Sequence, residues 1–252
     1  MKDTKKISPK KNLENYLSDL SQKPKGFVYL DKTQKKVVTQ AIITTENTGH
    51  MGHKEINTQE PPKSSCKNSL LTSLNDKYRN CQACPLAQAG RKQVVFGVGN
   101  PDTKLMFVGE GPGRDEDAQG VPFIGRAGQL LTKIIEAMGL TREQVYISNV
   151  VKCRPPENRT PLPIESSTCT DILLFKEIEI IKPTIICTLG ATATKALLGD
   201  QISIAKTRGI FHDFKGIPVL PTYHPAYLLR NPAEKKTVWE DMKKIMEKLT
   251  VL

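Results

Sequence analysis

Short apolar runs alternate with longer stretches of helical period from Leu105 onward, and few folds accommodate that alternation. Leu105–Gly109 (LMFVG), Val145–Val151, Thr184–Leu189 (TIICTL) and Ile217–Leu220 are the apolar runs, each of strand length. Gly128–Leu140, Ile164–Ile181, Ala191–Leu198 and Ala233–Leu249 carry apolar residues at helical spacing, and Pro183 stops the second of them. Strands that alternate with helices build right-handed βαβ units, whose parallel sheet is covered by helices on both faces. The expected fold is therefore α/β: a three-layer αβα sandwich around a central, mainly parallel four-stranded sheet. Ligands bind such sheets beyond the carboxyl ends of the strands, so the loops after the strands are where a site is expected.

The first 64 residues break the pattern. They are rich in Lys, Thr, Gln, Asn and Ser and poor in large apolar residues, a composition that cannot bury enough surface to fold. Residues 1–64 are expected to be a poorly ordered basic arm, and residues 65–252 the folded domain. Leu13–Leu20 could form a short helix within the arm, and Phe27–Leu30 and Val37–Val38 short extended pieces. Ser64–Asn80 is expected to be helical and to lead into Cys81. Residues 1–80 carry 15 Lys and Arg against 8 Asp and Glu, so seven of the net +11 charges fall there and four in the rest. Such a balance points to a polyanionic partner, nucleic acid or an anionic surface. The arm is read either as a solvated linker or as a nucleic-acid tether.

Several classes are excluded. No run approaches the roughly 20 apolar residues of a membrane helix. The basic start, MKDTKKISPKK, has no apolar stretch behind it, so it is not a secretory signal. A cytoplasmic protein with no membrane partner is expected. Six cysteines in 252 residues are too few for a disulfide scaffold, and clustered ones read as metal or redox ligands.

The loops after the strands hold the unusual residues. Gly109-Glu110-Gly111-Pro112-Gly113-Arg114 resembles a dinucleotide fingerprint but has Arg114 where the last glycine should stand. The acidic run behind it would repel phosphate, which leaves a tight turn with a solvated acidic tail, or a backbone that approaches a ligand closely. In GVPFIG, Phe123 follows Pro122 and is either a stacking platform or a core residue. Asn149 lies among apolar residues at the end of the second strand; it either caps a turn or presents a donor and an acceptor to a ligand. His224 and Arg230 fall in the loop PTYHPAYLLRN after the fourth strand.

Cys81-x2-Cys84, Cys153 and Cys169 supply the four thiolates of a tetrahedral site, zinc or iron–sulfur; spacing alone does not choose the metal. A redox CxxC is the alternative for the first pair. Cys187, inside TIICTL, is a small core residue, and Cys66 a free thiol.

Taken together, GEGPGRDEDAQGVPFIGRAGQLL, NVVKCRPPENRTP, the four cysteines and HPAYLLRN resemble the family 4, iron–sulfur uracil-DNA glycosylases over about residues 75–250. The type 5 branch and the covalently trapping branch fit less well; Gly199–Gly209 lacks the latter's histidine. The resemblance implies a 4Fe–4S cluster, largely structural, on Cys81, Cys84, Cys153 and Cys169. It implies stacking of uracil on Phe123, edge recognition by Asn149, a pocket lined by Glu110 and Gly111, and His224 acting at the uracil O2 side. Glu116 matches an acidic position that orients water. Arg230 would hold DNA, with Leu228 and Leu229 as wedges or as packing beneath the loop. The partner implied is uracil-containing DNA, single- or double-stranded, with the protein a monomer that excises the base and has no lyase step. A non-catalytic nucleic-acid-binding module with a structural metal centre, and a small-molecule enzyme on a doubly wound sheet, are the competing functions. Asn149 and His224 at neighbouring strand ends favour the first reading.

Overall fold

The computed structural model describes residues 63–251; Leu13–Leu20, Phe27–Leu30 and Val37–Val38 lie outside the described residues. The strands are β1 (Val98–Gly99), β2 (Leu105–Gly109), β3 (Tyr146–Asn149), β4 (Ile185–Leu189), β5 (His212–Phe214) and β6 (Ile217–Thr222). They form one sheet in the order β1-β3-β2-β4-β6-β5. The inner four are parallel, and β1 and β5 add antiparallel edges. The sheet thus has six strands rather than the expected four. Both edges escape a sequence pattern because they are two and three residues long and are not fully buried. Short edges also leave little open ladder for another chain to pair with.

The helices are α1 (Lys63–Tyr78), α2 (Arg114–Gln119), α3 (Arg126–Ala137), α4 (Pro163–Cys169), α5 (Phe175–Ile181), α6 (Ala191–Leu198), α7 (Ile204–Thr207), α8 (Pro225–Arg230) and α9 (Lys235–Val251). The acidic stretch after the glycines is helix α2, not a solvated tail, and it buries Glu116 and Asp117. Asp117 turns inward because its carboxylate accepts the Lys92 amide at 2.9 Å.

Strand alternation sorts the core into two layers. Leu105, Phe107, Ile185, Cys187 and Leu220 pack on one face against α3, Leu228 of α8, and Val238, Met242 and Ile245 of α9. Met106, Val108, Ile186 and Val219 face the other way, onto Leu173, Leu174, Ile178, Ile181 and Leu197. β2 and β4 are buried along their whole length, as strands covered on both faces must be. α1 joins this second layer through Leu71, and Lys67 fastens it by donating to Ile181 O at 2.9 Å.

The chain runs from β2 to β3 on one side and then crosses to β4 on the other. The strand order therefore reverses beside β2, and the crevice between the diverging connections opens at the carboxyl ends of β2, β3, β4 and β6.

Candidate active site

Gly109 ends β2 opposite Asn149, which ends β3. A side chain at Gly109 could not fit. Its Cβ would stand 2.3 Å from Phe123 Cζ and 2.6 Å from Asn149 Oδ1. The missing side chain is thus the space in which a ring and an amide meet. Asn149 is buried, and its Oδ1 accepts no hydrogen bond among the described residues. A buried acceptor without a partner costs about 1–3 kcal/mol. That cost is recovered if a ligand donates to it.

Phe123 is held in place by force. Its φ is 55°, a left-handed conformation that a phenylalanine rarely adopts. Arg142 keeps it there by donating to Phe123 O and Pro122 O, both at 2.9 Å. Gly128 of α3 lets the strained segment approach, since a Cβ there would lie 1.9 Å from the Phe123 carbonyl carbon. Glu116 clamps the flanks. Its carboxylate accepts Gly113 N at 3.1 Å, Ile124 N at 2.9 Å and Gly125 N at 2.8 Å. These contacts tie the glycine loop to the Phe123 loop.

His224 stands across from Phe123, ring centroids 5.6 Å apart and tilted by 37°. It caps α8: the Ala226 amide donates to His224 Nδ1 at 3.1 Å. Nδ1 is therefore the acceptor, and the proton of the neutral ring sits on Nε2. Burial, helped by the nearby Arg230 charge, pulls the imidazole pKa down to about 4. The ring is neutral at pH 7 and offers one N–H. Glu110 reaches across the crevice to accept the Thr192 hydroxyl at the start of α6. Gly111 runs beside Val151, whose amide donates to Glu110 O at 3.1 Å.

Asn149 and Phe123 thus meet at Gly109, with Glu110 and Gly111 next in the chain, Phe123 faces His224, and Glu116 is tied to the Phe123 loop. Arg230 is exposed at the end of α8. Leu228 is fully buried in the core and cannot enter a groove, whereas Leu229 is exposed.

The four cysteines come from three separated segments. Cys81 and Cys84 precede a short turn, Pro85–Gln88; Cys153 follows β3; Cys169 closes α4, where a π-helical stretch, Thr170–Leu174, begins. Insertions of that kind re-aim side chains at functional sites. The thiols lie within electrostatic reach of one another, and burial pushes Cys169 up to about 12 and raises Cys84 and Cys153. Two donors oppose that rise. Arg91 Nη1 donates to Cys153 Sγ at 2.7 Å, and the Lys152 amide to Cys169 Sγ at 3.3 Å. A second Arg91 nitrogen donates to Cys81 O at 2.5 Å. A single zinc ion needs its sulfur ligands about 2.3 Å from one point. Among the described residues, no three Cys, His, Asp or Glu side chains are placed to hold one ion in that way.

The residues that hold this site in shape escaped the sequence reading: Arg142, Arg91, the Lys152–Glu177 pair and the Arg208–Asp241 pair. One signal was available for the two acids. Glu177 and Asp241 fall on the apolar stripes of their helices, beside Ile178 and Met242, where a carboxylate has to be partnered.

Comparison with known proteins follows the same geometry. The Uracil DNA glycosylase superfamily profile matches residues 96–243. The Type-4 uracil-DNA glycosylase of Thermotoga maritima is 49% identical over 182 residues, covering 71% of this chain and 94% of that protein. The Type-4 uracil-DNA glycosylase of Saccharolobus solfataricus is 45% identical over 189 residues, covering 71% and 87%. A Type-5 uracil-DNA glycosylase from Pyrobaculum aerophilum is 31% identical over 183 residues, covering 59% and 79%. The chain belongs to the type-4 uracil-DNA glycosylases of the Uracil DNA glycosylase superfamily.

Proposed function

We propose that the protein excises uracil from DNA by hydrolysing the N-glycosidic bond, leaving an abasic site. The observation that carries this reading is Asn149: a buried amide whose oxygen has no partner, set against an aromatic ring at the switch point of the sheet. Uracil presents an N3–H donor and an O4 acceptor. Asn149 complements both, accepting at Oδ1 and donating from Nδ2. Cytosine has the opposite pattern and would leave buried groups unpaired, which discriminates strongly. The base must leave the stack to reach this depth, and Phe123 provides the surface against which it lies. Rejection of a 5-methyl group is assigned to the Glu110–Gly111 backbone.

Bond cleavage puts negative charge on the departing uracil. His224, neutral with its proton on Nε2, donates toward O2 and stabilises that charge without a proton transfer. A preorganised donor of this kind typically contributes about 3 kcal/mol. Water completes the hydrolysis at the sugar. Glu116 acts as a positioning residue for Phe123. Lys152, the lysine inside the motifs, has its amine fully buried and engaged, in keeping with a monofunctional enzyme. Arg230, exposed at the end of α8 and near His224, is assigned to meet a phosphate.

Cys81, Cys84, Cys153 and Cys169 are assigned to a 4Fe–4S cluster. Donors to two of the sulfurs suit a bound cluster, whose sulfurs accept such bonds. When bound, the cluster cross-links three segments that the sheet alone does not join. All six cysteines are unpaired, in keeping with a reducing, cytoplasmic setting, and the enzyme is assigned as a monomer. Residues 1–64 stand outside the family match and are assigned as a basic arm.

Incubation with a uracil-containing oligonucleotide followed by alkali tests the proposal. Strand scission at the uracil is expected. Binding without scission would leave a non-catalytic nucleic-acid-binding module in its place.

A further inference from the structure

Lys152 is the one lysine among the largest fully buried side chains of the described residues. Its ammonium donates to Glu177 Oε2 at 2.7 Å, to Ser148 Oγ at 2.5 Å and to the main-chain carbonyl of Asn149 at 2.7 Å. Glu177 also takes the Ser148 hydroxyl at 2.7 Å and, through Oε1, the Gly97 amide at 3.1 Å. The Lys152 amide donates to Cys169 Sγ. One residue therefore touches both the end of the base-reading strand and the thiol centre.

Its place follows from the sheet. β1 pairs with β3 only at Tyr146 and Ile147. The ladder on that side stops two residues short of Asn149, at the point where the chain leaves the sheet. The ammonium supplies the donor that a longer strand would have supplied. Stability alone is a poor reason for such a pair. Replacing a buried ion pair by apolar residues of similar volume is often neutral or stabilising. A charge pair that ends on the carbonyl of a residue whose own amide is left open is better suited to fixing an orientation.

We propose that Lys152, held by Glu177 and Ser148, is a positioning residue that sets the Asn149 amide for uracil. This rests on the reading of Asn149 as the uracil-edge reader. Lys152 touches no substrate; it acts on the peptide from which the reading side chain springs.

The test is a double-mutant cycle in the full-length, cluster-loaded protein, read by single-turnover excision of uracil. One arm is Lys152→Met with Glu177→Gln, which removes both charges yet leaves an acceptor for Gly97 N–H. The other arm is Asn149→Ala. In the native background the charge-free pair is expected to lower the maximal single-turnover rate about tenfold, with the half-saturating enzyme concentration unchanged. In the Asn149→Ala background it is expected to change the rate less than about twofold, because effects that act through one residue do not add. Where that rate is too slow to follow, the same cycle is read as affinity for DNA bearing 2′-fluorinated deoxyuridine against the thymine duplex. Equal fold losses in both backgrounds would mean general loosening and would overturn the proposal, as would an undiminished rate in the charge-free variant. If that variant does not fold, Glu177→Gln alone is expected to show a smaller loss with the same dependence on Asn149, and additivity there overturns the proposal equally. Native protein that excises no uracil would instead defeat the functional reading before the cycle begins.

Discussion

The crevice is built from two halves that solve one problem differently. On the β3 side, Asn149 is anchored by its main chain to the Lys152–Glu177 pair, both of whose side chains are fully shielded from water. On the β6 side, His224 is anchored through Thr222, whose hydroxyl donates to Asp241 Oδ2 at 2.6 Å, and Asp241 is paired with Arg208. Arg208 keeps 22% of its side chain exposed and lies over the Tyr223 ring. In the proposed reading, the dry pair lies behind the group that tells uracil from cytosine, and the wetter pair behind the group that only donates one hydrogen bond. Discrimination by unpaired polar atoms fails if the reading amide can turn, whereas a donor on a helix cap keeps its direction from the cap itself.

The sharpest way to break that contrast is to remove the two reading groups. Asn149→Ala is expected to cut single-turnover excision by about 10³-fold while leaving affinity for uracil-free DNA within a few fold, because recognition and alignment are lost together. His224→Ala is expected to cost about 10²-fold, the value of one donor. If His224→Ala proves the more damaging, the β6 half carries more than a single hydrogen bond.

The anchors come next, and here the readout is stability. Lys152→Met alone leaves the Glu177 carboxylate buried and uncompensated, and should cost about 3–5 kcal/mol in denaturant unfolding. Arg208→Met should cost less, about 1–3 kcal/mol, because Arg208 is partly exposed and water can reach the carboxylate it leaves behind. Burial already raises the Asp241 pKa, so that carboxyl can take up a proton when its partner is lost. Equal costs would mean that the two pairs are equally dry and would remove the distinction between the halves.

The same contrast explains what could be seen in the sequence. β2 and β4 were legible because a strand covered on both faces has to be apolar throughout. Asn149 and His224 stand out in the sequence as polar residues at or just past a strand end, and Phe123 as a lone aromatic between Pro122 and the glycines of a loop; the roles given to them came from the resemblance. Their supports do not stand out. Arg142 reaches Phe123 across 19 residues, Lys152 reaches Glu177 across 25, and Arg208 reaches Asp241 across 33. No periodicity links such partners; only the fold brings them together. The edge strands β1 and β5 were hidden for a different reason, being shorter than the alternation that would reveal them. Glu116 was placed in the site by resemblance, yet its three backbone partners come from loops whose conformation no motif encodes.

The smallest effect expected is the pH response of His224, and it separates the halves most cleanly, because Asn149 does not titrate. An ordinary histidine would switch charge near pH 6.5. Burial and Arg230 lower this one to about 4, so the fold favours the neutral ring. The sign follows: unfolded chains take up the proton first as pH falls. His224 therefore contributes stability in full above about 6.5, and that contribution is lost as pH drops through about 4. Excision by the native enzyme should accordingly show no inflection near 6.5 in kcat/KM and should fall only toward pH 4. Replacing His224 with Gln, which keeps a neutral donor, should lower the rate yet leave the profile flat over the same range. An inflection near 6.5 that vanishes in the Gln variant would mean the ring is solvated and charged during part of the cycle, and that it moves a proton rather than donating a fixed hydrogen bond.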